Sequence, residues 1–203
     1  MQEMEYIEKL KAFAQFTARS VDYDQKAYPK SGINTFQKYR TYIAMPSTND
    51  PEVVFVWFRD PFGNVGYSNV LCGVFIALPL LYSKRLSIRN KDFTDRLKYF
   101  FRAKPPKIGD HHFDSRFIIE GKPGAEEMKL LSNSVLQREI HKAMEIGGVT
   151  EVSLNGFHPE FIAAFEAKPV LGVLNTCTWN IEDQFIESLF YCGEKLKEAV
   201  DNL

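Results

Sequence analysis

Two aspartates and two histidines stand close together in the chain, at Asp110, His111, His112 and Asp114. Carboxylates and imidazoles are ligand types that bind divalent metals, so a metal-assisted hydrolase using these four residues is one hypothesis. The spacing argues against it, because adjacent histidines on an extended strand point to opposite faces. No HExxH or HxH pattern accompanies the group. We therefore predict no metal site and no cofactor here.

A structural role accounts for the same aspartates. A charged turn begins at residue 109, and residues 116–120 form a short apolar run that is typical of a strand. Asp side chains commonly accept hydrogen bonds from backbone N–H groups at such turns. We therefore predict that Asp110 and Asp114 fix the turn before the strand. The other two histidines are predicted on the polar face of a helix (His141) and in a turn (His158).

Three further stretches could carry chemistry, and each has a simpler interpretation. Residues 60–66 hold two glycines without a following lysine or helix, so they are predicted as a hairpin loop and not a phosphate-binding loop. Ser132 lacks the Gly-x-Ser-x-Gly context of a nucleophile and is predicted to cap a helix. Cys177 has no histidine near it in sequence and is predicted to be a buried thiol. The catalytic residues, if there are any, stay unknown.

The composition is that of an ordinary globular protein, with 25% charged and 45% apolar residues among 203. A chain of this length can bury a substantial core without metals or disulfides. The formal net charge is −1, so the chain as a whole has no electrostatic attraction to nucleic acid or to an anionic membrane. Neither is therefore expected as a partner. Three cysteines without a CxxC pair fit a reducing compartment.

A cytoplasmic location is expected from the termini and the apolar runs. Residues 1–5 are acidic and lack the basic and apolar regions of a signal peptide. The longest apolar run, residues 70–82, is too short to span a bilayer and contains Pro79. If the chain is a fragment of a longer protein, a membrane anchor in the missing part stays an open possibility.

Apolar residues at helical spacing mark both ends of the chain. An N-terminal helix is predicted over residues 3–19, and its apolar face consists of Met4, Ile7, Leu10, Phe13, Ala14 and Phe16. A C-terminal helix is predicted over 181–200, opened by Asn180 and Asp183 as a capping pair. Between them, helices are predicted after Asp92, over 125–131, and from Ser132 to the glycines at 147–148.

Runs of β-branched and aromatic residues predict the strands. They cover residues 53–58, 67–78, 84–89, 116–120, 149–154, 161–165 and 170–174. The first two should pair in antiparallel fashion, and Gly73 marks a bulge or a close approach. Residues 35–45 fit both a helix and a strand, and helix is preferred. Residues 21–32 and 46–51 are predicted as loops.

Hairpins interrupted by helices indicate an α+β fold. We predict a mostly antiparallel sheet with helices packed on one face and with helical N- and C-termini. One domain should cover residues 1–203. Within it, the N-terminal helix and loop at about 1–50 could be an appendage to the sheet and helices at about 51–203.

The turn also carries a short motif, Gly109-Asp110-x-x-Phe113-Asp114-x-x-Phe117, followed by Leu130-Leu131-Ser132. It resembles a signature in a group of uncharacterised bacterial proteins of unknown function, where such a turn leads to a strand and then to a helix that opens at Leu-Leu-Ser. The resemblance covers about residues 83–200. It implies a fold and a bacterial source, and it implies no activity.

Good core signals without converging polar residues favour a non-catalytic module that binds a protein partner or itself. A carrier or sensor of a small apolar ligand is the first alternative, because aromatic residues are abundant. The residues that could line its pocket are Trp57, Phe58, Phe62, Tyr67, Tyr99, Phe100, Phe101 and Phe113. The second alternative is the metal-assisted hydrolase that uses Asp110, His111, His112 and Asp114.

Overall fold

The computed structural model of the chain describes residues 2–27, 39–60, 70–95, 99, 104–177 and 180–203. The helices are α1 (Gln2–Phe16), α2 (His111–Arg116), α3 (Ala125–Leu131), α4 (Ser134–Ala143) and α5 (Asp183–Asp201), with a 3₁₀ turn at Ala163–Phe165. The strands are β1 (Asp22–Ala27), β2 (Tyr39–Pro46), β3 (Val53–Arg59), β4 (Val70–Ala77), β5 (Leu86–Asn90), β6 (Phe117–Gly121), β7 (Glu151–Leu154) and β8 (Val170–Asn175).

The strands form one eight-stranded sheet in the order β1-β2-β3-β4-β8-β7-β5-β6. Every neighbouring pair is antiparallel. Both halves of the chain contribute to it, since β1 pairs with β2 and β2 pairs with β3 on the N-terminal side, and β4 pairs with β8 of the C-terminal half. The predicted α+β class, with an antiparallel sheet and helical termini, is confirmed.

Among the described residues, the main core lies between one face of the sheet and helices α1 to α5. Alternate strand residues such as Phe55, Trp57 and Val74 meet helix residues such as Leu10 and Leu189 there. The helices at the two ends of the chain are therefore both parts of the core. Helix packing on one face follows from amphipathic helices that must bury one stripe each against an apolar sheet face.

The described residues that cover the second face of the sheet belong mainly to a loop. A loop that follows β7 places Ile162 and Phe165 on Val56, Phe58 and other residues of the central strands. Farther along this face, Arg89 of β5 holds Asp95 with two hydrogen bonds of 2.8 and 2.6 Å. Asp95 belongs to a helical turn, residues 93–95. Asp92 caps this turn as predicted, because its Oδ1 accepts from the N–H of Asp95 at 3.0 Å.

Two N-terminal predictions are wrong within the described residues. Residues 22–27, predicted as loop, form the edge strand β1, whose mostly exposed polar side chains gave no strand pattern. Helix was preferred for residues 35–45, but residues 39–45 belong to β2. Its residues 41–45 are all buried, so the strand lies between two covered faces and shows no apolar–polar alternation. The predicted apolar face of α1 also includes two exposed residues, Met4 (55%) and Phe16 (89%).

Three predictions in the C-terminal half are corrected as well. Residues 161–165 are not a strand, because the chain there packs on one face of the sheet and contains the 3₁₀ turn. Ser132 does not cap α4, because its hydroxyl donates back to the carbonyl of Met128 at 2.7 Å while Asn133 is the N-cap. α5 begins after Glu182 without a side-chain cap, so Asn180 and Asp183 are not a capping pair.

Some predicted features fall outside the described residues. These are the loop at 61–66, the polar segment at 28–38 and most of the helix after Asp92. Within the described residues, no helix combines the length and the apolar character that crossing a bilayer requires.

Candidate functional site

The turn with the two aspartates leads into the short helix α2. Asp110 is the N-cap, and its Oδ1 accepts a hydrogen bond from the N–H of Phe113 at 2.7 Å. Asp114 reaches back to the preceding segment, where its carboxylate oxygens accept from the N–H groups of Ile108 at 3.1 Å and Gly109 at 3.0 Å. The prediction that both aspartates bind backbone N–H groups is confirmed.

Replacing Asp114 should lower stability in a defined order. Asp114→Ala leaves two backbone donors without their acceptor, and because the site is half-buried we expect a loss of about 1 kcal/mol. Asp114→Asn keeps one oxygen and should lose less. Urea and thermal unfolding should therefore rank wild type above Asn and Asn above Ala. His111→Ala on the same helix, where the side chain is exposed, should stay within about 0.5 kcal/mol of wild type.

The contrary result has a clear meaning. If both Asp114 variants are as stable as wild type or more stable, the hydrogen bonds of this carboxylate to the backbone do not stabilise the fold. Functional carboxylates often behave in that way, because active sites can carry unpaired charge at the expense of stability.

The two predicted histidines lie on α2 and not on a strand. Successive helix positions are about 100° apart, so their rings point in different directions. Both histidines are exposed, and the ring of His112 stacks on His141 of α4 with centroids 5.1 Å apart and planes inclined by 29°. Across the described ranges, no group of three or more histidine, cysteine, aspartate or glutamate side chains is placed to hold a metal ion.

His141 is the central residue of this cluster and is not simply exposed on a polar face. Nη1 of Arg116 lies 2.9 Å from its Nε2 and 3.1 Å from its Nδ1. The same Nη1 lies 3.0 Å from Oε1 of Glu145, and that oxygen is 3.3 Å from Nδ1 of His141. The hydrogen bond from Arg116 holds the pKa of Glu145 below its ordinary value. The ring edge of His141 also meets Phe117 at 5.3 Å.

A cleft of about 360 Å³ opens between α2 and α4 beside this cluster. Its lining includes Asp110, His112, Gln137, Arg138, His141 and Lys142. Below Arg138 and Lys142 lies Glu139, which is 5% exposed and accepts a 3.0 Å hydrogen bond from each of them. Burial acts to raise the pKa of Glu139, but these two cations outweigh burial and hold the pKa below its ordinary value. The cleft therefore combines imidazoles with partly neutralised cations.

A second groove, of about 450 Å³, lies between α4 and α5. Ile146, Tyr191 and Cys192 are among its lining residues, and Tyr191 is 62% exposed. Sequence reasoning missed this groove, because it arises where two helices that are distant in sequence pack together. The exposed tyrosine on an otherwise amphipathic helix was the one available signal.

The three cysteines differ in environment. Cys72 and Cys192 are buried, and burial raises the pKa of each thiol to about 12. Cys177 is exposed, so the prediction of a buried thiol is wrong there. It follows β8 in a turn where Oδ1 of Asn175 accepts its N–H at 3.0 Å. The two buried thiols are therefore protonated and unreactive near neutral pH.

The aromatic residues predicted to line one pocket are dispersed. Trp57 and Phe58 are both buried but lie on opposite faces of the sheet, as neighbours on a strand must. Phe113 is in the main core. Tyr99 lines a different cleft, of about 1140 Å³, together with Phe93 and several lysines. The remaining four, Phe62, Tyr67, Phe100 and Phe101, lie outside the described residues.

Glu127 is a buried carboxylate that sequence reasoning missed. Its Oε1 accepts from the N–H groups of Ser83 and Lys84 at 2.9 and 3.1 Å, and its Oε2 accepts from that of Gly124 at 2.9 Å. Burial acts to raise its pKa, and these backbone donors bring it below the ordinary value. A glutamate three residues after the N-cap position is one half of a capping box, and this spacing from Gly124 could have revealed it. Its role is structural, since it ties α3 to the segment before β5.

No protein-family model, no curated protein and no solved structure matches the chain. The resemblance to uncharacterised bacterial proteins therefore stays a prediction. The function has to be inferred from the clefts, charges and exposed side chains of the chain itself.

Proposed function

We propose that the chain is a non-catalytic protein-binding module whose contact surface is the groove between α4 and α5. The observation that supports this is the exposed ring of Tyr191 beside an apolar floor. Tyrosine is among the residues that most often dominate the binding energy of protein interfaces. An exposed tyrosine at the edge of an apolar groove is a suitable anchor for such a contact.

The rim of the groove supports an apolar contact more than a charged one. Its charged side chains are paired within the chain: Lys142 binds Glu139 at 3.0 Å, Arg19 binds Glu187 at 2.7 Å, and Lys195 binds Glu198 at 2.7 Å. An apolar centre inside a polar rim is the usual organisation of a protein interface. The groove should therefore select a partner by shape and apolar area.

We expect one or two apolar side chains from an amphipathic helix of the partner to occupy the groove. Helix-in-groove recognition uses such anchors at positions i, i+3 or i+4. A volume of about 450 Å³ has room for large anchors of this kind. A second copy of the chain could supply the same chemistry, so self-association is the other form of this proposal.

Tyr191→Ala tests the proposal directly. Wild-type protein should recover a partner from lysate or form oligomers seen by light scattering, and the variant should lose either interaction by at least about tenfold, because hot-spot truncations cost more than 2 kcal/mol. Thermal melting should be unchanged, since the ring is mostly exposed. Phe16→Ala removes another exposed aromatic ring, 89% exposed and outside the groove lining, and should leave binding intact.

Two outcomes would contradict the proposal. A strictly monomeric wild-type protein that recovers no partner would remove the binding function. A partner that is lost with Phe16→Ala but retained with Tyr191→Ala would move the interface away from the groove.

The apolar-ligand carrier is kept as a second proposal, supported by the cleft of about 1140 Å³ that Phe93, Tyr99, Pro105 and Ile118 help to line. Lys91, Lys104, Lys107 and Arg116 line the same cleft, so a ligand with an apolar body and an acidic group would suit it best. Native mass spectrometry of freshly purified protein should then show an additional bound mass.

A further inference from the structure

The cleft of about 1140 Å³ beside β6 is lined by lysines whose charge no described carboxylate neutralises. We propose that this cleft binds a phosphate monoester of an apolar alcohol, a single amphiphile whose phosphate contacts Lys91, Lys104 and Lys107. The inference rests on the proposal of an apolar-ligand carrier and names the chemical class of its ligand. It does not depend on the groove between α4 and α5.

Residues 104–107 form one wall of the cleft and place two lysines on the same side. Pro105 and Pro106 favour the polyproline II conformation, in which three residues make one turn. Positions 104 and 107 are therefore one turn apart and face the same way. The lining of the cleft agrees, because it includes Lys104, Pro105 and Lys107, whereas Pro106 is not among its described members. The two prolines also restrict the backbone, so less conformational entropy is lost when the lysines bind a ligand.

These two lysines have no partner of opposite charge in the described part of the chain. Both are exposed, and neither forms a salt bridge there. Lys91 is also exposed, and its Nζ donates to the backbone carbonyl of Asp114. That contact satisfies a hydrogen bond and leaves the positive charge of Lys91 without a described carboxylate. Three ammonium groups therefore line one cleft with their charge available to a ligand.

The other charged groups of the cleft are already paired. The carboxylates of Asp92 and Asp95 both bind Arg89, with nitrogen–oxygen distances of 3.7 and 2.6 Å. Arg116 binds Glu145 at 3.0 Å. The lysines therefore determine the charge that an incoming ligand meets.

A phosphate monoester matches three ammonium groups better than a carboxylate does. It carries close to two negative charges at about pH 8 and has three terminal oxygens, so each ammonium can donate to a separate oxygen. A carboxylate brings one charge and two oxygens. Lysine binds phosphate as a point charge on a flexible stem, so no fixed fork geometry is needed.

The apolar part of the ligand has its own contacts in the cleft. Ile118 of β6 is 1% exposed and belongs to the lining together with Tyr99 and Phe93. The side chain of Phe93 is 75% exposed, so an alkyl chain that covers its ring removes apolar surface from water. The cleft therefore offers apolar contacts and unneutralised cations to the same ligand.

Octyl phosphate, octyl sulfate and octyl glucoside test the proposal, because they share one alkyl chain and differ in the charge of the head group. Each is titrated into the full chain at about pH 8, below its critical micelle concentration, and followed by calorimetry. Octyl phosphate should bind saturably, at least about tenfold more tightly than octyl sulfate, and octyl glucoside should bind most weakly. Inorganic phosphate, which lacks the apolar body, should bind at least about tenfold more weakly than octyl phosphate.

The contrary results separate this inference from the carrier proposal. Equal affinity for the three octyl compounds would overturn the phosphate assignment and leave the carrier standing. No saturation with any of them would overturn both. Inorganic phosphate that binds as tightly as octyl phosphate would overturn the amphiphile. Binding to vesicles that contain phosphatidic acid, without binding of free octyl phosphate, would assign the lysines to a membrane surface and overturn the inference.

Two double variants assign the phosphate to the lysines. Lys104→Gln with Lys107→Gln should weaken octyl phosphate binding by at least about tenfold and leave octyl glucoside binding unchanged. Lys122→Gln with Lys129→Gln removes the same charge outside the described lining of the cleft and should change neither affinity. All four side chains are exposed, so both variants should fold. An equal loss in the two double variants would reflect net charge alone and would overturn the assignment.

Phe93→Ala tests the apolar contact separately. The ring is mostly exposed, so the variant should fold. Its affinities for octyl phosphate and octyl glucoside should fall by the same factor, because the alkyl chain is common to both. Unchanged affinity for both compounds would place the alkyl chain elsewhere and overturn the carrier proposal at this cleft.

Discussion

Deletion of residues 179–203 should leave a chain that does not fold. This deletion removes α5, whose buried residues are Phe185, Ile186, Leu189, Phe190, Cys192, Gly193, Leu196, Ala199 and Val200. The five large side chains among them are each worth about 1.5–3 kcal/mol when buried. Their sum, about 7–15 kcal/mol, is as large as the whole stability of a typical domain. The expected product is unfolded or aggregated.

The measurement is circular dichroism and thermal melting of the truncated protein beside full-length protein. Deleting only residues 202–203 is the matched control, because both are exposed and follow the end of α5. That short deletion should melt close to wild type. A protein without residues 179–203 that melts cooperatively near the full-length temperature would show that α5 is not part of the core.

Gly73→Ala should strongly destabilise the protein. A Cβ at Gly73 would lie 2.3 Å from the carbonyl oxygen of Val173 and 2.9 Å from Cδ2 of Leu174, on the paired strand β8. A backbone atom at that distance cannot rotate away, so β4 or β8 must move. Overpacking of this kind costs about 3 kcal/mol or more when the backbone has to shift.

Gly147→Ala is the matched control, since a Cβ there has no neighbouring atom within 4 Å. It should be neutral, or slightly stabilising through the lower entropy of the unfolded chain. The free energies of unfolding of both variants, obtained from urea titrations, give the comparison. A Gly73→Ala variant within about 0.5 kcal/mol of wild type would contradict the close approach that the sequence also indicated at this glycine.

Secondary structure was predictable where burial is one-sided or where an apolar run is long. β4 lies within its predicted segment, β3 and β5 each end one residue beyond theirs, and α1 and α5 form close to the predicted helices at 3–19 and 181–200. β1 and β2 were mistaken because one is a polar edge strand and the other is buried on both faces. Neither position produces the alternation of period two from which a strand is recognised.

The sequence by itself determined the α+β class, the helical termini and the backbone-binding role of Asp110 and Asp114, because each depends on contacts within a few residues of chain. Only the tertiary structure decided what surrounds the histidines. Arg116 and His141 are 25 positions apart, and Arg19 and Glu187 are 168 apart. Their meeting depends on how α1, α2, α4 and α5 pack on the sheet. Many amphipathic sequences satisfy the same burial, so side-chain patterns alone do not specify which polar groups share a cleft.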